Sequence, residues 1–149
     1  MLEWLRTNAV KARETLATEV ARYRNRTFME AIANGCALMS AADGEIKSEE
    51  KMKMAGFINN SSELKVFDLN EVTRVFSDAC GKFEFDFQIG RAEALKAIGK
   101  VKGKDGEARL LVRVVCAVGA ADGDFDGKER AVGRLICLEL GLNPADFEL

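Results

Sequence analysis

The 149-residue chain contains no histidine. That absence removes the commonest general base and the commonest transition-metal ligand together. Neither a Ser-His nor a Cys-His dyad can be built, and the usual zinc ligand sets lose a main donor. Proline occurs once, at Pro144, and aromatic residues make up only 7%. β-branched residues do not alternate with polar ones over any long stretch, so the signals of a strand-rich fold are missing. No apolar run approaches the ~20 residues of a membrane-spanning helix. The N-terminus, with Glu3 and Arg6, lacks the apolar stretch of a secretory signal. None of the four cysteines (Cys36, Cys80, Cys116, Cys137) sits in a C-x-x-C pair, which removes zinc-ribbon and thioredoxin-type motifs. The expectation is a reducing cytoplasm with buried, inert thiols. Nor is there an excess of positive charge. Lys+Arg number 22 against 24 Asp+Glu, a net charge of −2, whereas a binder of nucleic-acid phosphates is normally basic over the whole domain. No nucleic-acid partner is expected.

What is present is helical periodicity. Hydrophobic residues make up 48% of the chain and charged residues 31%, ample for one domain over residues 1–149 with its own core. Apolar residues recur at three- and four-residue spacing, which predicts an all-α protein of about seven main helices. The first runs from about Leu2 to Tyr23, with Leu5, Ala9, Ala12, Leu16, Val20 and Tyr23 on one stripe. Thr27 and Glu30 have capping-box spacing and open a helix to about Ala42 carrying Phe28, Ile32, Cys36 and Met39. A third spans about Ser48 to Ile58, followed by a short turn around Leu64 to Phe67. Asp68 caps a helix to about Phe83, and Asp86 caps another to about Val101. The next carries Ala108, Leu111, Val112, Val115 and Val118. The last main helix runs from Lys128 to Leu140 and stops at Gly141, and Pro144 opens a final turn.

Two stretches of the chain match. Residues Ala41 to Lys51 align with Ala120 to Arg130 at a constant offset of 79, with five of eleven positions identical and three similar. Each copy follows an apolar helix and precedes an amphipathic one. The domain is therefore expected to contain two related helix–turn–helix halves, around residues 27–60 and 106–141.

The shared pattern, D-G-x-[IF]-x-x-x-E, matches the second half of an EF-hand calcium loop. Asp43 and Asp122 take the fifth loop position, Gly44 and Gly123 the sharp bend, and Glu50 and Glu129 the terminal bidentate glutamate. Met39 and Ala41, and Val118 and Ala120, stand where the first two ligands belong. Neither copy is an EF-hand. A hard cation needs about six oxygens, and one half-loop offers two or three. Together, Asp43, Glu45 and Glu50 with Asp122, Asp124, Asp126 and Glu129 offer enough. Such an all-oxygen set selects Ca²⁺ first, with Mg²⁺ and Mn²⁺ as alternatives. The competing reading is purely architectural. Asp-Gly is a turn dipeptide, and Asp126 with Glu129 makes a capping box. The two readings are compatible, because a carboxylate can cap a helix and ligate an ion. The copies differ at one relevant place, where Lys47 stands opposite Asp126. A site using Asp126 would be lopsided in charge.

Residues 1–26 carry Arg6, Lys11, Arg13, Arg22, Arg24 and Arg26 against three acids, a net +3, while the remainder is −5. This basic amphipathic helix could dock on a partner or on an anionic membrane surface, where each basic residue adds about 1 kcal/mol. Alternatively its charges are the ordinary solvated face of a core-packed helix. Catalysis would require an activated, accessible cysteine. The apolar surroundings of Cys36, Cys116 and Cys137 predict burial instead, so no enzyme is expected.

The chain resembles the TerB family of the bacterial tellurite-resistance group. The resemblance is carried by Ala21-Arg22-Tyr23-Arg24-Asn25, Ala42-Asp43-Gly44 through Lys51, Ser62-Glu63-Leu64-Lys65-Val66-Phe67-Asp68 and Phe85-Asp86-Phe87. It is carried further by Ala121-Asp122-Gly123-Asp124-Phe125-Asp126 and the tail Leu140-Gly141-Leu142-Asn143-Pro144-Ala145-Asp146-Phe147. It implies an all-α fold with two related halves, and a divalent-metal site at Asp43, Glu50, Asp122 and Glu129. It also implies a stress and tellurite-resistance role beside other members of that group, among them calcium-binding proteins and an integral-membrane protein. The resulting expectation is a cytoplasmic, non-enzymatic, metal-binding scaffold, peripheral at the inner face of the membrane if it docks there. The alternative is a metal-free interaction module whose acidic loops only cap helices.

Overall fold

The computed structural model describes residues 9–121, 123 and 125–149, with side chains from residue 11 onward. All regular structure among them is helical: α1 (Ala9–Val20), α2 (Arg26–Ser40), α3 (Ser48–Asn60), α4 (Leu69–Phe85), α5 (Phe87–Gly99), α6 (Asp105–Gly119) and α7 (Gly127–Leu140). Single 3-10 turns at Ser62–Leu64 and Pro144–Phe147 complete it.

Two of these helices are central, each burying a wide apolar face and keeping one polar stripe outward, Arg26, Glu30 and Asn34 on α2 and Asp105, Arg109 and Arg113 on α6. Eleven of the fifteen residues of α2 and ten of the fifteen of α6 are buried. Small residues let them approach closely: a Cβ on Gly35 would stand 2.6 Å from Val115 Cγ2, and one on Gly119 would stand 3.1 Å from Met39 Cγ. The α4–α5 pair packs against α2, α3 lies against α4, and α7 packs on α5 and α6. Phe28, Ile32, Phe76, Leu111 and Ile136 are all at most 1% exposed. Each contributes about 1.5–3 kcal/mol by leaving water.

The helix ends follow the side chains that satisfy free backbone donors. Asp68 accepts from Asn70 N at 3.0 Å and Asp86 from Ile89 N at 3.0 Å. Gly141 closes α7 in the left-handed region, with φ 72°. One expectation needs correcting. Thr27 does not cap α2: Asn25 does, its Oδ1 accepting from Phe28 N at 2.8 Å. Asparagine is the stronger cap, and its extended backbone (φ −120°, ψ 156°) leaves Arg26 and Thr27 already in the helix. The expected start of the first helix at Leu2 lies outside the described residues. Its C-terminal end comes at Val20, short of Tyr23, with Ala21 and Arg22 in a turn.

α1 is held by α6 and by the Ser62–Leu64 turn. Within that turn Glu63 is 2% exposed. Ser61 Oγ donates to its carboxylate, and Arg13 Nε of α1 lies 3.9 Å from its Oε1. A buried carboxylate needs a cation nearby, and α1 supplies it.

Candidate functional site

The two acidic bends have one backbone geometry. After α2, Ala41 has φ −93° and ψ 11°; after α6, Ala120 has φ −93° and ψ 13°. Gly44 N donates to Ala41 O at 2.9 Å and Gly123 N to Ala120 O at 2.9 Å. Gly44 and Gly123 then take φ 94° and 82°. A side chain is strained at such angles, which explains the glycine in both copies. Each bend turns the chain from a central helix into an outer one.

Beside the bends lies a cavity of about 200 Å³. Asp43 reaches it from the first bend and Glu50 from the first turn of α3. Asp126 and Glu129 reach it from the start of α7. Ser40, Met54 and Phe57 line it as well, with Lys53 as a basic member. Thus four of the seven acids expected to ligate a cation border one space, two from each copy of the motif. Glu45 does not line it; its side chain is 68% exposed and sits 4.0 Å from Lys47. Asp122 and Asp124 lie outside the described residues. Among the described residues, no three carboxylates converge closely enough to hold a metal ion as they stand.

The second bend's acids also cap. Asp126 Oδ1 accepts from Glu129 N at 2.8 Å, and Glu129 Oε1 accepts from Asp126 N at 3.2 Å. This is the expected capping box. Lys47, the counterpart of Asp126, makes no side-chain cap on α3.

The electrostatics are those of crowded carboxylates. Burial, followed by the hydrogen bond and charge of Asp43, holds the Glu50 carboxyl above its ordinary range, against the pull of Lys47. Lys128 of α7 places its Nζ 3.6 Å from Asp43 Oδ1, joining the two copies through one ion pair. Ser40 is 6% exposed, and its Oγ has no hydrogen-bond partner among the described residues. A buried hydroxyl without a partner is costly. Here it borders the carboxylate-lined cavity. Ser40 and Lys128 escaped the sequence reading. The one available signal was that Ser40 and Gly119, also at the cavity, occupy equivalent positions just before the two copies.

The donor set is four carboxylates and a hydroxyl, all hard oxygens, which suits Ca²⁺, Mg²⁺ or Mn²⁺ and disfavours softer metals.

The basic residues of the first segment separate into two kinds. Arg13 faces Glu63, and Arg26 is held at 2.7 Å by Glu30 and 3.0 Å by Glu71. Lys11, Arg22 and Arg24 are exposed. Arg6 lies outside the described residues. No helix among the described residues is long and apolar enough to cross a membrane.

Thiol chemistry has no support in this fold. Cys36, Cys80, Cys116 and Cys137 are all buried and free. Burial pushes the first three thiols up to about 12 and Cys137 up to about 11.

The family model described as "Tellurite resistance protein TerB" matches residues 29–149. A "Tellurium resistance protein TerB" from Alcaligenes sp. is 42% identical over 102 residues, covering 68% of this chain and 84% of that relative. No solved structure matches the chain significantly.

Proposed function

The chain belongs to the TerB family of tellurite resistance proteins, and from that premise we propose that it is a non-enzymatic scaffold binding a divalent cation within a bacterial tellurite-resistance and stress-response system. The observation that carries this reading is the cavity lined together by Asp43, Glu50, Asp126, Glu129 and Ser40, whose hydroxyl has no partner among the described residues. These residues would hold the ion, with Asp122 and Asp124 as further candidates. A bound cation supplies the positive charge that lets the carboxylates of two separate bends approach one another. Asp43 and Glu50 bring the α2–α3 corner to the site, and Asp126 and Glu129 bring the start of α7. Occupancy then biases how the two corners pack, and with it the surface offered to partners. Those partners are other tellurite-resistance proteins, an integral-membrane member among them. Their meeting place is the cytoplasmic face of the membrane, with Lys11, Arg22 and Arg24 available to anionic lipid.

Calorimetric titration with Ca²⁺, Mg²⁺ and Mn²⁺ tests this on the wild type and on the Asp43→Asn/Asp122→Asn double variant. Heats in the wild type and their loss in the variant are expected. Equal heats from both proteins would remove these residues from the site. The capping box of Asp126 and Glu129 favours a second reading, a metal-free interaction module whose acids only shape corners. It requires no heat from either protein.

A further inference from the structure

Helix α7 has two apolar faces. Gly133, Ile136, Cys137 and Leu140 are buried in the core. Val132, Leu135 and Leu138 follow a second stripe at three-residue spacing, and Leu138 is 67% exposed. They border a groove of about 590 Å³ together with Leu38 of α2 and Phe87 of α5. Val132 and Leu135 are half-buried and Leu138 is left uncovered, and an exposed apolar residue beside an apolar hollow commonly marks a docking site. All the charged side chains around this groove are basic: Arg91 of α5, and Lys128 and Arg134 of α7. Arg91 and Arg134 make no ion pair among the described residues, and Lys128 is paired to Asp43. In a chain with a net charge of −2, two arginines with no ion-pair partner among the described residues, set beside an apolar hollow, are a specific complementarity.

We propose that this groove receives an acidic amphipathic helix of a partner protein. Its apolar side chains, spaced i, i+3, i+4 and i+7, enter between α7 and Phe87, and its flanking carboxylates meet Arg91 and Arg134. A concave hollow selects a helix over a lipid surface, because a bilayer lies against protruding side chains and does not fill a recess. The acidic cavity adjoins this groove through Ala42 and the Lys128–Asp43 pair, but cation binding there is not a premise of this inference. The groove stands whether or not a cation binds there.

The test uses two labelled synthetic helical peptides on the full chain, followed by fluorescence anisotropy. One carries leucines at i, i+3, i+4 and i+7 with glutamates on its flanks. The other replaces the glutamates by lysines. Saturable binding of the acidic peptide and none of the basic one is expected. Leu138→Asp should weaken binding about tenfold or more, as loss of an apolar anchor does. The Arg91→Glu/Arg134→Glu variant should reverse the preference between the peptides. All three positions lie outside the fully buried core, and circular dichroism melts confirm that each variant folds. Equal binding of both peptides, or indifference to Leu138→Asp, overturns the proposal. So does no binding by either peptide. Phosphatidylglycerol vesicles captured in a Leu138-dependent way, with no peptide bound, would assign the surface to lipid instead. A dimer in sedimentation that Leu138→Asp disperses would assign it to a second copy of this chain. Either result also overturns the acidic-helix proposal.

Discussion

Lys128 Nζ sits 3.6 Å from Asp43 Oδ1, so a residue of the second acidic motif neutralises a residue of the first. The two are 85 positions apart in sequence. In the absence of a divalent ion, this ammonium is the nearest cation to Asp43 on the opposing motif. A metal ion drawing on Asp43 must therefore compete with a tethered lysine.

That competition has a measurable consequence. Lys128→Ala should tighten Ca²⁺ binding about two- to fivefold, the scale of a partly exposed ion pair. Calorimetry on the variant measures it directly. An unchanged or weakened affinity would mean that Asp43 does not contribute to the site.

The raised Glu50 carboxyl makes stability depend on pH in a defined direction. The folded chain keeps this proton at a pH where the unfolded chain has released it. Its contribution is therefore favourable at low pH. It falls as pH climbs from the unfolded carboxyl value through the folded one, and is level above that. Glu50→Gln should abolish this slope and raise the melting midpoint at neutral pH without cations. Saturating Ca²⁺ should invert the slope in the wild type, since a cation favours the carboxylate. Thermal melts across the acidic-to-neutral range read all of this. Parallel curves for wild type and variant would place Glu50 outside the crowded pair.

Two glycine substitutions should act in opposite directions. At Gly35 a new Cβ meets Val115 Cγ2 at 2.6 Å, at the crossing of the two central helices. Gly35→Ala should cost about 1–3 kcal/mol through overpacking. At Gly56, within α3, a Cβ meets nothing within 4 Å. Gly56→Ala should stabilise by about 0.5–1 kcal/mol through helix propensity alone. Urea unfolding of both variants measures the contrast. Equal effects would show that the close α2–α6 crossing is not a stability determinant.

The four thiols should be silent in the native protein. With Cys36, Cys80 and Cys116 pushed up to about 12 and Cys137 up to about 11, the nucleophilic thiolate is scarce at pH 8 and sterically covered. A thiol-reactive disulfide reagent should label none of them until denaturant is added, and all four afterwards. Rapid labelling of any one in the folded state would reopen thiol-based chemistry on the chain.

The helices could largely be read from residue order, because their signals are local. Asp68, Asp86 and Gly141 mark ends that the backbone adopts. The start of α2 is decided locally too: Thr27 stands three residues before Glu30 with capping-box spacing, but Asn25 is the stronger acceptor and takes Phe28 N. The acid-bearing bends were equally visible, since Asp-Gly at a fixed offset needs no folding to be noticed.

Residue order is silent on distance through space. Asp43 and Glu50 share a cavity with Asp126 and Glu129 because α2 and α6 cross at Gly35 and Gly119, a fact of packing. Ser40 is an ordinary polar residue until burial leaves it without a partner among the described residues, and Lys128 an ordinary surface charge until the corner folds it onto Asp43. The second apolar stripe of α7 reads like any core face in the sequence. That Leu138 at its end stays exposed is decided only once the first face has filled the space in the core. Local periodicity decides what each segment becomes, while the juxtaposition of charges depends on which helix faces meet.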